Sequence, residues 1–164
     1  MSRVAISILI TAGFLAVLSF APAQSGESVE DLTVRYTTTE IPYEDVVLNL
    51  ELAITGRGFV IDNRSYIGKM LRRTGKDLGF DIEVFANAQQ FQFCPATYSR
   101  NMMEASPHNI AFCPYIISAY NLPDDPKTVY VSFRRPNIVG SRESQEALKA
   151  VDDLLKSLVE ESLR

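Results

Sequence analysis

The sequence predicts an α+β domain in which a mostly antiparallel sheet is packed against helices. Short segments alternate apolar and polar side chains, as half-buried strands do, and longer segments repeat apolar residues at helical spacing. Their order is strand, helix and strand, then several strands and a terminal helix, which is typical of an α+β layer. The chain has 164 residues, 46% of them apolar and 22% charged, which fits one globular core.

The amino terminus is predicted as a secretory signal peptide. Arg3 precedes the uncharged apolar stretch VAISILITAGFLAVLSF, and Ala21-Pro22-Ala23 has the small-residue form that a signal peptidase accepts. We therefore expect cleavage after Ala23, a disordered segment over residues 24–31 and a single domain over residues 32–164. An uncleaved membrane anchor is the alternative interpretation of the apolar stretch.

Export and charge set further expectations about partners. Removal of residues 1–23 takes away Arg3 and no acidic residue, so the net charge changes from −4 to −5. An acidic chain has no overall attraction to nucleic acid or to anionic lipid, so we expect no nucleic-acid partner and no membrane contact after cleavage. The expected compartment is the oxidising periplasm.

The first half of the domain is predicted as strands alternating with helices. LTVRYTT has the period of a half-buried strand, and GFVIDN gives a second strand from Phe59 to about Asp62. Between them a helix begins after Pro42, carries acidic residues in its first turn and ends at Gly56 and Gly58. SYIGKMLRRTGKDLGF then follows as a short helix with a basic outer face.

The second half of the domain is predicted as three strands and two helices. DIEVFANAQQFQF is a long strand whose apolar phase changes at Gln89-Gln90, which suggests a bulge or a break. Cys94 lies where a helix cap would, and ATYSRNMMEA continues helically until Pro107. IAFCPYIISAYNL and TVYVSF are two further strands, and Ser141 caps a last helix that has the longest apolar stripe.

Several of these segments together resemble a known family. RGFVIDN, VFANA, RNMMEASPHNIAFCPYIISAY and VYVSFRRP are similar to the bacterial domain-of-unknown-function family 302, and to its exported members, over about residues 32–160. The resemblance implies a fold like that of the TATA-binding-protein superfamily: a curved antiparallel sheet with a final helix packed on it, often in a homodimer. It implies neither DNA binding nor a set of catalytic residues.

One departure from the family pattern concerns the cysteines. The short cytoplasmic members lack the stretch QFQFCPATYSR and have no paired cysteines, so the resemblance associates Cys94 and Cys113 with the exported form. Ala86 also replaces the glycine that the family has at the end of the VFAN strand.

The two cysteines have a structural and a chemical interpretation. The favoured one is a Cys94–Cys113 disulfide, because thiols that come close together in an oxidising compartment usually pair, and such a loop closure adds about 3 kcal/mol. The alternative is a dithiol site for redox or sulfur handling, with Cys94 as nucleophile at a helix amino terminus and Cys113 as resolving thiol. The spacing is not the C-x-x-C of thioredoxin-like motifs.

A copper or haem site is a weaker interpretation of the same region. Met102, Met103, His108 and Cys113 offer the soft ligands that suit copper(I). A buried helix face for the methionines and a loop position for the histidine explain them more simply. The chain has no C-x-x-C-H motif for covalent haem attachment, and we predict no cofactor.

Positive charge is concentrated in a few places on this acidic chain. If these side chains converge on the cysteine-containing face they would hold a small anion, although a solvated helix face is the simpler interpretation. The candidate anion-binding residues are Arg64, Lys69, Arg72, Arg73, Lys76, Arg134 and Arg135.

These observations favour a periplasmic, non-enzymatic binding or accessory domain that is crosslinked by a Cys94–Cys113 disulfide and forms a homodimer. Its ligand is a small molecule or a periplasmic partner protein. The concave sheet face is the expected binding surface. Its candidate aromatic lining residues, for most of which ordinary core packing is the alternative interpretation, are Tyr36, Phe85, Phe91, Phe93, Tyr115 and Tyr120. The thiol-dependent accessory protein is the alternative.

Overall fold

A computed structural model describes residues 29–164 of the chain. The predicted signal peptide and most of the predicted disordered segment lie outside these residues, and Val29–Leu32 forms a short helix. The elements in chain order are α1 Val29–Leu32, β1 Thr33–Thr38, α2 Tyr43–Gly56, β2 Ile61–Ser65, α3 Ile67–Leu78, β3 Asn87–Phe93, α4 Ala96–Ala105, a 3₁₀ helix Pro107–Phe112, β4 Tyr115–Asn121, β5 Val129–Arg134 and α5 Arg142–Ser162.

The five strands form one sheet in the order β1-β5-β4-β3-β2. All neighbouring strands are antiparallel. The α+β class and the mostly antiparallel sheet predicted from the sequence are therefore confirmed.

The core lies on one face of this sheet. Along β4 and β5 every second side chain is buried, and in β3 Phe91 and Phe93 are buried, because successive side chains of a strand point to opposite faces. Helices α2 and α5 pack against each other and against this face, while α4 packs against α5. The largest fully buried side chains are Phe91, Phe93, Leu50, Ile54, Met102, Ile117, Leu148, Leu155 and Leu158.

The two long helices form where the apolar stripes predict them. In α2 the buried side chains recur at helical spacing from Tyr43 to Ile54, and acidic residues occupy the first turn, where the helix dipole favours negative charge. At the start of α5 the Ser141 hydroxyl accepts a hydrogen bond from the Ser144 backbone N–H at 3.2 Å. The predicted cap of the last helix is thus confirmed.

The other face of the sheet is polar across its centre. Register places Ser65, Gln90, Ser118, Ser132 and Arg35 side by side, one on each strand. Gln90 donates a hydrogen bond to the Ser118 hydroxyl at 3.1 Å. We call this surface the open face.

Three predicted strands begin later than the sequence pattern suggests. The strand expected from Phe59 to about Asp62 spans Ile61–Ser65. The long strand expected over residues 81–93 starts at Asn87, because residues 81–85 pair with no strand of the described chain, and only the Ala86 N–H reaches β4, where it donates to the Asn121 carbonyl at 3.1 Å. The strand expected from Ile110 starts at Tyr115, because Pro107–Phe112 forms a 3₁₀ helix after Pro107 ends α4. None of the helices within residues 29–164 has the length and apolar character needed to cross a membrane.

Helix α3 approaches the sheet more closely than any side chain would allow. A Cβ atom on Gly68 would lie 2.9 Å from the backbone nitrogen of Ala88 in β3, whereas one on Gly56, at the end of α2, would meet nothing within 4 Å. Glycine at position 68 therefore permits this packing.

We predict that Gly68→Ala lowers the free energy of unfolding by about 1–3 kcal/mol, because backbone atoms of α3 and β3 must separate. The matched change Gly56→Ala should be neutral or slightly stabilising, since alanine favours a helix. Urea denaturation of both variants measures the difference. Equal stability of the two variants would contradict the close packing of α3 on β3.

Candidate functional site

Cys94 and Cys113 lie at disulfide-bonding distance, with their Cα atoms 6.2 Å apart. This Cα separation falls in the range of about 4.4–6.8 Å that disulfides require. Cys94 directly follows β3, and Cys113 lies between the 3₁₀ helix and β4. A crosslink here closes a loop that contains α4 and the 3₁₀ helix, and the two cysteines have the proximity that the sequence-based pairing requires.

A serine hydroxyl lies beside both sulfur atoms. Ser99, in the first turns of α4, is 8% exposed, and its Oγ is 3.1 Å from Cys94 Sγ and 3.9 Å from Cys113 Sγ. Sequence reasoning missed this residue. The available signal was its position about one helical turn after Cys94, on the side of α4 that faces the core.

A cavity of about 480 Å³ lies next to Cys113. Its apolar wall includes Phe112, Pro114 and Leu155, and in the described part of the chain its only charged lining residues are Arg134 and Arg135. Arg134 ends β5, and the Arg135 backbone N–H, just beyond, donates to the Leu32 carbonyl at 2.9 Å. We call this space the Cys113 cavity.

The two arginines keep hydrogen-bonding capacity free. Arg135 forms a long ion pair with Asp152, in which Nε lies 3.7 Å from Oδ1, beyond hydrogen-bonding distance. The other oxygen of Asp152 is paired with Lys156 Nζ at 2.6 Å. Arg134 is exposed and has no ion pair with any residue in 29–164. Both guanidinium groups can therefore donate to an anion in the cavity.

The phenol of Tyr115 contributes no negative charge to the cavity wall. Burial raises the pKa of Tyr115 above its ordinary value, and a hydrogen bond with the Ser99 hydroxyl opposes the rise only in part. Its hydroxyl lies 3.6 Å from the buried sulfur of Met102. The phenol therefore stays neutral at physiological pH, and the charge of the cavity comes from the arginines.

The predicted anion-binding residues do not all converge on the cysteines. Arg64 lies on the core side of β2, where it forms an ion pair with Glu51 and its guanidinium lies 4.6 Å from the centre of the Phe91 ring. Burial opposes the charge of Arg64, but its hydrogen bonds with Glu51 and Tyr66 outweigh burial and raise the pKa of the guanidinium. Arg64 thus belongs to the packing of the core and not to a free anion site.

The basic residues of α3 are also remote from the disulfide. Arg72 Nη1 donates to Glu83 at 2.7 Å and to the Ala86 carbonyl at 2.9 Å, which fixes the chain after α3. Lys69, Arg73 and Lys76 lie exposed on the same helix. Of the seven predicted cations, only Arg134 and Arg135 reach the cysteine-containing end of the sheet.

The structure does not assemble the proposed copper ligands. Met102 is fully buried in the core, Met103 packs at its edge and His108 is exposed in the 3₁₀ helix. Cys113 is engaged with Cys94. Within the described residues no three His, Cys, Asp or Glu side chains are grouped to hold a metal ion.

Four of the six candidate lining aromatics belong to the core or pack against it, which was the alternative interpretation of these residues. Phe91, Phe93 and Tyr115 are buried in the core beneath the helices, and Tyr36 packs against that core with its hydroxyl 3.3 Å from Glu160. The alternation of side chains along a strand shows which residues share a face of the sheet, but not which of the two faces the helices cover.

Two of the predicted aromatic residues do lie on the open face. Phe85 packs edge-on against Tyr120 with ring centres 5.4 Å apart. Tyr120 stacks on Tyr130 at 5.1 Å and 10°. Tyr130, which the sequence interpretation omitted, completes this aromatic group.

We predict that the double variant Cys94→Ser/Cys113→Ser loses about 3 kcal/mol of unfolding free energy, because the unfolded chain is no longer restricted by the crosslink. Denaturation with and without reductant measures this. Reductant should destabilise the wild-type protein by a similar amount and leave the double variant unchanged. A wild-type protein that is insensitive to reductant would contradict a stabilising disulfide.

Comparison with known proteins identifies the family. The family described as "Domain of unknown function DUF302" matches residues 34–162. The crystal structure of an uncharacterized conserved DUF302 protein from Bacillus stearothermophilus superimposes with a TM-score of 0.64 at 13% identity, covering 79% of this chain and 98% of that chain. At this identity the likeness concerns the fold alone.

The comparison with curated proteins found no match. The family match spans most of the chain and agrees with the resemblance inferred from its motifs. The chain therefore belongs to the DUF302 family.

Proposed function

We propose that the protein is an exported, non-enzymatic binding domain that takes a small organic anion in the Cys113 cavity. The observation that carries this proposal is a cavity of about 480 Å³ with two arginines in an otherwise apolar lining. This volume lies within the range of about 300–1,000 Å³ that is usual for small-molecule sites.

The chemistry of the lining selects the ligand class. A guanidinium donates two parallel hydrogen bonds to a carboxylate, and it is the side chain best suited to hold that group near apolar surface. Phe112, Pro114 and Leu155 offer an apolar wall for the rest of the molecule. We therefore propose a carboxylate with an aliphatic or aromatic body as the ligand.

The disulfide supports both the site and the proposed compartment. Cys113 is itself a wall residue, and its link to Cys94 ties the segment that enters β4 to the end of β3. Paired cysteines are typical of oxidising compartments. Together with the apolar stretch before Ala21-Pro22-Ala23, they support export to the periplasm.

We predict that hexanoate binds with measurable heat in a calorimetric titration, whereas hexanol, which has the same chain and no charge, does not. Arg134→Ala and Arg135→Ala should each weaken hexanoate binding by about tenfold or more, as expected for loss of a charge-assisted hydrogen bond. Arg142→Ala is the matched control, because Arg142 is exposed and pairs within α5 with Glu146.

Equal affinity of the two cavity variants and the control would contradict the proposed site. Binding of hexanol as tightly as hexanoate would show an apolar pocket without anion recognition, and would contradict the ligand class.

The thiol-dependent accessory protein is the second candidate, and Ser99 favours it. Its buried hydroxyl lies beside Cys94 Sγ and would donate a hydrogen bond to a Cys94 thiolate if the disulfide were opened. In such an exchange an incoming thiolate attacks one sulfur, forms a mixed disulfide and releases the other sulfur as a thiolate. The double cysteine variant separates the candidates, since it removes thiol exchange and leaves the two arginines in place.

We also propose that the domain forms a homodimer, as the family resemblance implies. Leu48 and Leu52 lie one turn apart on α2 and are 51% and 57% exposed, which offers an apolar helix face to a second copy. We predict that Leu48→Glu/Leu52→Glu is monomeric by sedimentation velocity while Val60→Glu, at an exposed valine, stays dimeric. A monomeric wild-type protein would contradict the dimer, and a dimeric double variant would contradict this interface.

A further inference from the structure

Helix α3 is amphipathic but contributes almost nothing to the core. Gly68 is its only buried residue, and no side chain of α3 belongs to the core cluster. Its apolar residues include Met70 and Leu78, which are 39% and 70% exposed. An amphipathic helix of a globular domain normally buries its apolar stripe. Ile67 and Leu71 are half-buried and α3 packs on β3, so only part of this stripe has a partner among residues 29–164.

The chain after α3 adds further exposed apolar side chains. Phe80, Ile82 and Val84 are 69%, 85% and 51% exposed. They line one groove together with Leu78 and with Lys76 of α3. Contiguous exposed apolar surface of this kind marks an interaction site.

This segment is held in place against α3. Arg72 Nη1 donates to Glu83 and to the Ala86 carbonyl, and the Phe80 backbone N–H donates to the Gly75 carbonyl at 2.9 Å. The apolar side chains are therefore presented by a segment anchored at several points. We call the surface formed by α3 and residues 79–84 the α3 surface.

Besides Arg72, three exposed cations lie on α3, of which Lys76 shares the groove of Phe80 and Ile82. Lys69 and Arg73 line a shallow groove on α3 with Tyr66 and Met70, and Lys69 Nζ lies 4.9 Å from the centre of the Tyr66 ring. In the described chain Lys69, Arg73 and Lys76 form no ion pair.

Acidic residues at the α3 surface reduce this charge only in part. The carboxylate of Glu83 is paired with Arg72 at 2.7 Å, which leaves Asp77 and Asp81 against the three unpaired cations. The cations lie on the outer side of α3, where they can face an anionic partner.

We propose that the α3 surface docks on an anionic lipid bilayer. A surface that carries unpaired lysine and arginine side chains together with exposed phenylalanine and aliphatic residues has the composition of an interfacial membrane segment. The cations would contact lipid phosphates and the apolar side chains would enter the boundary of the acyl region. The negative net charge of the whole chain led us to expect no membrane contact. The attraction between a charged side chain and anionic lipid, however, falls off within a Debye length of about 8 Å. The charge of the α3 surface itself therefore governs docking.

The chain contains no tryptophan, which permits a site-specific test. Ile82→Trp places a single fluorophore at the most exposed apolar position of the surface, and Val60→Trp places one at an exposed valine that lines neither groove. The probes are vesicles of equimolar phosphatidylglycerol and phosphatidylcholine, and vesicles of phosphatidylcholine alone. Because the emission of a tryptophan reports only its own surroundings, insertion of the amino-terminal apolar stretch into the bilayer would not by itself shift the emission of a tryptophan at position 82.

We predict a blue shift of the Ile82→Trp emission, and quenching by brominated lipid, with the anionic vesicles only. Val60→Trp should show neither change. Adding Lys69→Glu/Arg73→Glu to Ile82→Trp should abolish the blue shift, whereas the charge-matched pair Lys127→Glu/Arg142→Glu should leave it in place.

Three results would overturn the proposal. They are an emission spectrum that anionic vesicles leave unchanged, an equal blue shift with both vesicle types, and a blue shift that appears without vesicles as the protein concentration rises. The last would assign the α3 surface to a second copy of the chain. Circular dichroism of each variant confirms that the fold is retained.

Discussion

Burial of a single face of the five-stranded sheet is the constraint on which the rest of the structure depends. Phe91, Ile117 and Val131 project from three adjacent strands into one apolar layer, and α2 and α5 cover it. Burial of apolar area is the main favourable term in folding, so these side chains determine where the helices lie. The opposite face is left with the polar row on five strands and with the group formed by Phe85, Tyr120 and Tyr130.

The proposed site lies at the margin of that core and depends on it. Leu155 of α5 and Tyr115 of β4 belong to the core cluster and also form part of the Cys113 cavity. The disulfide fixes the wall at Cys113, while β5 delivers the arginines from the other side. A cavity with walls on separate elements keeps its shape only while those elements remain packed together, which links stability to binding in this domain.

The sequence predicted the features that depend on local pattern. Apolar periodicity located α2 and α5, the serine cap located the start of α5, and the compartment argument led to the Cys94–Cys113 pair. Sequence-based prediction failed where the structure of a segment depends on residues that are distant in the chain. Residues 81–85 have the alternation of a strand, but they pair with no strand of the described chain. Phe91 and Phe93 point into the core because α2 and α5 cover that face.

The candidate site was predictable only in part, for the same reason. Arg134 and Arg135 were identified by charge, but so was Arg64, which pairs with Glu51 thirteen positions earlier in the chain. A run of charges does not reveal which members the fold will neutralise. The only sequence signal for Ser99 was its position about one helical turn after Cys94, and a serine inside a helix is otherwise ordinary. Its significance comes from the two sulfur atoms that the fold brings beside it.

The most direct test of the account is an NMR titration of the isotope-labelled, oxidised protein with hexanoate, with the backbone amide shifts followed residue by residue. The account predicts that the shift changes concentrate around Cys113, Ile116, Arg134 and Arg135, which surround the cavity. Shift changes that concentrate instead on the open face or on α3, or the absence of any change at saturating hexanoate, would contradict it.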